Sequence, residues 1–119
     1  MEASVYFCAV DLKNGSYLDV ENNAMSAANG VHFFGDTAVG SSGLLRVADC
    51  TFVGGTEIFD SALVYLSGSV TLEGGAQWRV EGNNVGAASV LTILYPQYKI
   101  QLSGSGTTVV LSHNRQVGG

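Results

Sequence analysis

The stretch Gln77-Trp78-Arg79-Val80-Glu81-Gly82-Asn83-Asn84-Val85 alternates apolar and polar side chains and then breaks into a polar turn. That is the pattern of a half-buried β-strand running into a corner. Degenerate copies occur at Tyr17-Leu18-Asp19-Val20-Glu21-Asn22-Asn23, Leu44-Leu45-Arg46-Val47-Ala48-Asp49-Cys50 and Thr108-Val109-Val110-Leu111-Ser112-His113-Asn114. Aligned on their last polar residue, the copies end at 23, 50, 83 and 114, in steps of 27, 33 and 31 residues. Spacings of that size are the signature of a solenoid, with the unequal steps absorbed by insertions in the turns.

The alternation fixes which side chains face the core. Two columns of the motif are apolar in every copy: Leu18, Leu45, Trp78, Val109 and Val20, Val47, Val80, Leu111. The intervening columns hold Asp19, Arg46, Arg79, Val110 and Glu21, Ala48, Glu81, Ser112. A register slip of one residue would bury those charges, so the inward and outward assignment is strongly specified.

Working outward from the motif, Ala62 to Leu66, Val70 to Glu73 and Gln77 to Glu81 read as three strands of one turn, separated by Ser67-Gly68 and Gly74-Gly75. The same order is read from Val31 to Phe34 with a corner at Gly35-Asp36, and from Val90 to Tyr95 with a corner at Pro96. Strands this short cannot bury a face alone and must stack on their counterparts in the next turn. The fold expected is all-β: a right-handed parallel β-helix, a pectin-lyase-like solenoid of about four coils at 1–28, 29–58, 59–88 and 89–119, forming one segment of a longer protein. At the motif's last position, Asn23, Asn83 and Asn114 are expected to form a structural ladder of stacked amides, which Cys50 interrupts.

Composition supports the class and excludes several functions. Sixteen glycines against one proline indicate closely spaced turns between short strands, not helices. A net charge of −5, with five Lys and Arg spread along the chain, leaves no basic footprint for nucleic acid or an anionic membrane. Cys8 and Cys50 are too few for a disulfide framework or a cysteine zinc site, and read as two small buried residues. Within these residues there is no basic n-region ahead of an apolar run and no apolar run of membrane-spanning length. Asn14-Gly15-Ser16 is a glycosylation sequon of the kind expected by chance.

Catalysis on a β-helix requires acidic residues gathered on one sheet face, as metal ligands or as an acid and base pair. Asp36, Asp49, Glu57 and Asp60 are the candidates, but they fall in corners of the second coil and its exit loop and read as solvated turn residues. His32 and His113 have no Ser or Cys partner arranged for nucleophilic attack. No cofactor and no metal site is expected. The reading is of a non-catalytic structural or binding segment, with a carbohydrate-active lyase or hydrolase as the alternative. The expected binding surface is the outward face bearing Asp19, Arg46, Arg79 and Glu81, and the uncapped ends are expected to make the isolated chain self-associate.

The segments Leu44-Leu45-Arg46-Val47-Ala48-Asp49-Cys50-Thr51-Phe52-Val53-Gly54-Gly55, Gly74-Gly75-Ala76-Gln77-Trp78-Arg79-Val80-Glu81-Gly82-Asn83-Asn84-Val85 and Ile100-Gln101-Leu102-Ser103-Gly104-Ser105-Gly106-Thr107-Thr108-Val109-Val110-Leu111 resemble the dispersed gene family proteins of trypanosomatid parasites. The similarity extends over nearly the whole chain. It implies a very large, cell-surface protein with a β-helical ectodomain, a membrane-anchored C-terminal region and a role in adhesion to a host surface, matrix protein or glycan. It implies no catalytic residues.

Overall fold

A computed structural model describes residues 3–27, 29–54, 62–86 and 92–117. Among the described residues there are sixteen strands and no helix. The first turn of the chain holds β1 (Ala3–Phe7), β2 (Val10–Leu12), β3 (Tyr17–Glu21) and β4 (Ala24–Ala27). The second holds β5 (Asn29–Phe33), β6 (Thr37–Val39), β7 (Leu44–Ala48) and β8 (Thr51–Gly54). The third holds β9 (Ala62–Leu66), β10 (Val70–Glu73), β11 (Gln77–Glu81) and β12 (Asn84–Gly86). The last holds β13 (Thr92–Pro96), β14 (Ile100–Ser103), β15 (Thr108–Ser112) and β16 (Arg115–Val117).

Equivalent strands of successive turns pair in parallel, giving four sheets each four strands deep. The chain is therefore a parallel β-helix. It makes three full turns to bring β13 back onto the first sheet, and the stack has four rungs. In the third sheet Leu18, Leu45, Trp78 and Val109 are mutual partners, as are Val20, Val47, Val80 and Leu111. The register is the one the alternation dictates.

The core runs along the axis. Leu45, Trp78, Val47 and Val80 are fully buried and meet Val31, Phe33, Leu63, Val64, Leu66, Val39 and Leu72 from the first and second sheets. Trp78 packs edge-on against Phe33, their ring centroids 4.9 Å apart. Its indole N–H and the Thr37 hydroxyl are buried with no hydrogen-bond partner among the described residues. A column that elsewhere takes Leu or Val supplies no acceptor to the indole, so the ring's burial must outweigh an unmet donor.

Three expectations are corrected. Each rung has four strands, not three: the fourth sheet is formed by β4, β8, β12 and β16, immediately after the motif's final Asn or Cys. These strands are only three or four residues long and turn a single side chain inward, Met25, Phe52 or Val85 in the first three rungs. So short a segment shows no period to read. The corner expected at Pro96 falls one step later, because Pro96 ends β13 and pairs with Leu66, leaving Gln97 to Lys99 to make the turn. Cys8 is exposed, since it lies in the corner between β1 and β2 and not on an inward position. Val90, Leu91, Glu57 and Asp60 lie outside the described residues.

One corner is built alike in every rung. The residue before the motif's last position is left-handed each time: Asn22 (φ 57°), Asp49 (φ 54°), Gly82 (φ 68°) and His113 (φ 55°). Asn, Asp, His and Gly are the residue types that tolerate this conformation, and it bends the chain out of the third sheet into the fourth.

Candidate functional site

The corner just described carries the amide ladder, and its hydrogen bonds follow a rule. The side chain at the motif's last position donates downward to the carbonyl three residues earlier in the rung below, and its oxygen accepts from the backbone N–H of the equivalent residue below. Asn114 Nδ2 donates to Val80 O at 2.9 Å while its Oδ1 accepts from Asn83 N at 3.2 Å and from Asn83 Nδ2 at 2.8 Å. Asn83 Nδ2 likewise donates to Val47 O at 3.1 Å, and its Oδ1 accepts from Cys50 N at 2.9 Å. Cys50 keeps half of the pattern: its thiol points at Val20 O from 3.7 Å and at Ala48 O from 3.3 Å, and a sulfur makes a poor acceptor for Asn23 N–H. The interruption expected at Cys50 is thus a loss of the acceptor only. Burial pushes the Cys50 thiol pKa up, which keeps it protonated and able to donate. Asn23 has no rung beneath it among the described residues, and its Nδ2 turns back to Glu21 O at 2.9 Å in place of a ladder bond.

The charged residues on the outer face of the third sheet are brought together by the stacking. Arg46 lies between rungs, with Nη1 3.0 Å from Glu21 Oε2 and 3.3 Å from Asp19 Oδ2, and with Asp49 and Glu81 each at 3.9 Å. Arg79 Nε donates to Glu81 Oε2 at 2.7 Å, and its Nη1 reaches Gln77 Oε1 at 3.3 Å. The hydrogen bond from Arg79 holds the Glu81 carboxyl below its ordinary pKa, and the positive charges of Arg79 and Arg46 add to the effect. Asp19, Arg46, Arg79 and Glu81 are therefore one internally paired network that ties rung to rung, with the carboxylates of Glu21 and Asp49 at its exposed edge. Ala48, on the same outward face, is buried beneath its longer neighbours.

A second outward face has a different character. On the first sheet Tyr6, His32, Tyr65 and Tyr95 follow one another from rung to rung, with ring centroids 4.8, 4.7 and 5.4 Å apart. Phe34, from the adjoining corner, packs 5.9 Å from both Tyr6 and His32. The expectation that His32 has no Ser partner is corrected here: its Nε2 is 2.7 Å from Ser67 Oγ, a hydroxyl that also reaches the carbonyls of Phe33 and Phe34, and its ring is buried under the aromatics around it. Phe34 and Tyr6 stay open to solvent, 57% and 50% exposed, and Tyr95 and Tyr98 are exposed as well. Sequence reasoning passed over this face because its residues recur once per turn, at spacings of 26 to 33, and the first-sheet strands read as uniformly apolar. The edge-to-face contact of Tyr6 with His32 follows only from the register between β1 and β5.

The remaining candidates are dispersed. Asp36 caps a turn, its Oδ1 accepting from Ser69 N at 3.0 Å, and Asp49 occupies the left-handed corner beside Arg46. His113 is in the same corner of the last rung, after the third sheet, whereas His32 is on the first sheet. Asn14 Oδ1 accepts from Ser41 N at 3.1 Å across two rungs. Among the described residues no three His, Cys, Asp or Glu side chains are grouped to hold a metal ion, and no helix is long and apolar enough to cross a membrane.

The parallel β-helix is the class that fold and faces define. Neither a protein-family model, a curated protein nor a solved structure matches the chain.

Proposed function

We infer that this chain is a non-catalytic structural and binding segment of a larger surface solenoid, with a role in adhesion to a host protein or glycan. The observation that carries the reading is the division of labour between its two outward faces. The charges of the third sheet are spent on one another across rungs, while the first sheet presents Tyr6, Phe34 and Tyr95 in one solvent-facing aromatic surface. Contiguous exposed aromatics rimmed by polar groups are characteristic of interaction surfaces, since ring faces and edges bury area at low entropic cost. The resemblance of residues 44–55, 74–85 and 100–111 to the dispersed gene family proteins supports the surface and adhesion part of the reading, including a membrane-anchored parent.

A glycan and matrix-protein array probed with three forms of the chain tests it: wild type, Tyr6→Ser/Phe34→Ser, and Arg46→Glu/Arg79→Glu. Binding by the wild type that is lost in the aromatic variant and kept at least in part by the charge variant is the expected result. Turnover of a polysaccharide that disappears in Asp36→Asn or Asp49→Asn would replace this reading with that of a carbohydrate-active enzyme.

A further inference from the structure

Asn14 is used differently from the asparagines of the ladder. In Asn23, Asn83 and Asn114 the amide nitrogen is a donor that the fold employs, at 2.9, 3.1 and 2.9 Å. In Asn14 the oxygen is employed instead, accepting from Ser41 N at 3.1 Å. Its Nδ2 makes no hydrogen bond among the described residues, and the residue is exposed. The side chain leans on the second rung across Gly40, where a Cβ would stand 2.7 Å from Asn14 Oδ1, so contacts within the stack fix its setting. The backbone around it is a reverse turn: Ser16 N donates to Lys13 O at 3.0 Å, and Gly15, at φ +73°, donates its N–H to Ser41 O at 2.9 Å. A Cβ on Gly15 would meet nothing within 4 Å, so the space outside the turn is open. Of the seven asparagines in the sequence, Asn14 is the one followed two residues later by Ser or Thr, and neither Gly15 nor Tyr17 is a proline. A lone triplet carries no weight by itself. Here it coincides with an amide nitrogen that the fold leaves unused, on an exposed turn.

We propose that Asn14 carries an N-linked glycan. In the transfer Nδ2 gives up one proton and bonds to C1 of the first sugar of a polyprenyl-diphosphate-linked oligosaccharide. The bond from C1 to the phosphate oxygen breaks, and the lipid diphosphate leaves with that bond's electron pair. The proton passes to a carboxylate of the transferase, and nothing is oxidised or reduced. Ser16 supplies the hydroxyl that the transferase reads. Substitution at Nδ2 leaves the lone pairs of Oδ1 in place, so the bond from Ser41 N survives and the corner accepts the sugar without repacking. The same substitution at Asn83 or Asn114 would replace one of the two N–H groups of a buried or half-buried donor. The glycan stands at the corner between β2 and β3, with the second sheet between it and the aromatic face of the first, so it covers the turn and leaves Tyr6 and Phe34 open. That the chain meets such a transferase rests on its reading as a surface segment; that the site accepts a glycan rests on the fold.

The test is to make the chain in cultured insect cells behind a cleavable secretion signal and to read its intact mass before and after treatment with a peptide-N-glycosidase. Signal cleavage, visible in the same spectrum, marks every chain that entered the secretory pathway, whether secreted or retained. Wild type and Ser16→Thr are expected to carry one glycan that the enzyme removes, and Asn14→Gln and Ser16→Ala to carry none. The urea midpoint of wild type is expected to be the same with the glycan and after its removal. A wild type that enters the pathway unmodified, a glycan that persists in Asn14→Gln, or a midpoint that falls markedly in the glycosylated form would overturn the proposal. Because the signal forces entry, an unmodified chain counts against the site alone. Absence of binding on the glycan and matrix-protein array counts against the surface reading and leaves the site standing.

Discussion

At position 78 a Trp fills a column that elsewhere takes Leu or Val, and the two neighbours Trp78 and Arg79 show how sharply alternation divides the chain. The indole is fully buried against Phe33, while Arg79 lies over Glu81 and Gln77 on the outside. Trp78→Ala is expected to cost about 3–5 kcal/mol, a large part of an ordinary domain's stability. Arg79→Ala is expected to cost no more than about 1 kcal/mol, the worth of a partly exposed ion pair. Urea unfolding of both variants measures this, and similar midpoints would mean that the inward and outward columns are exchanged. The cysteines are divided by the same geometry. Cys50 is sealed in the ladder with its thiol held protonated by burial, and Cys8 is exposed at a corner.

Within the third sheet, strand pairing is reinforced by charge. Glu81 accepts a 2.7 Å hydrogen bond from Arg79 and lies 3.9 Å from Arg46, so its carboxyl titrates below the ordinary value in the folded chain. A depressed folded pKa means that the stabilisation is complete above the unfolded glutamate pKa of about 4.3 and is lost as pH falls through the lower folded value. Wild type should therefore lose stability on acidification below about pH 4.3, and Glu81→Gln, which cannot titrate, should lose less over that window. Urea midpoints measured as pH is lowered give the comparison; parallel curves for the two chains would remove Glu81 from the account. The corner that follows this strand is fixed by conformation as much as by charge. A Cβ at Gly82 would stand 2.5 Å from Asp49 Oδ1, and φ there is +68°, so glycine meets both requirements at once.

Among the described residues, burial falls from the middle rungs to residues 92–115. Leu72 and Leu102 are partners in the same column of the second sheet, one fully buried and the other half exposed. In a chain of residues 1–119, Leu72→Ala is expected to cost about 2–5 kcal/mol and Leu102→Ala less than about 1 kcal/mol, because the half-exposed side chain withdraws less area from water. Thermal unfolding of the two variants measures the difference; equal losses would mean that the two leucines are equally enclosed. Amide exchange is expected to follow the same order, fastest in β13 to β16 and slowest in β9 to β12.

The sequence by itself determined the parallel stack, the register of the third sheet and the identity of the core columns. Those depend on a period of two along each strand and a return every 27 to 33 residues, both of which are written in the order of side chains. It also placed Asn83 and Asn114 in a ladder and Asp19, Arg46, Arg79 and Glu81 on one outer face. Only the tertiary structure decided the rest. The fourth sheet is made of strands too short to carry a pattern, Cys50 proved to keep the donating half of a ladder its residue type had suggested it would break, and the four charges proved to be partners of one another. The aromatic face exists because rungs stack residues some thirty positions apart, and the sense of the amide ladder exists because a hydrogen bond between rungs has a direction. Neither is a property of any local stretch, since each depends on which residue lies above and which below.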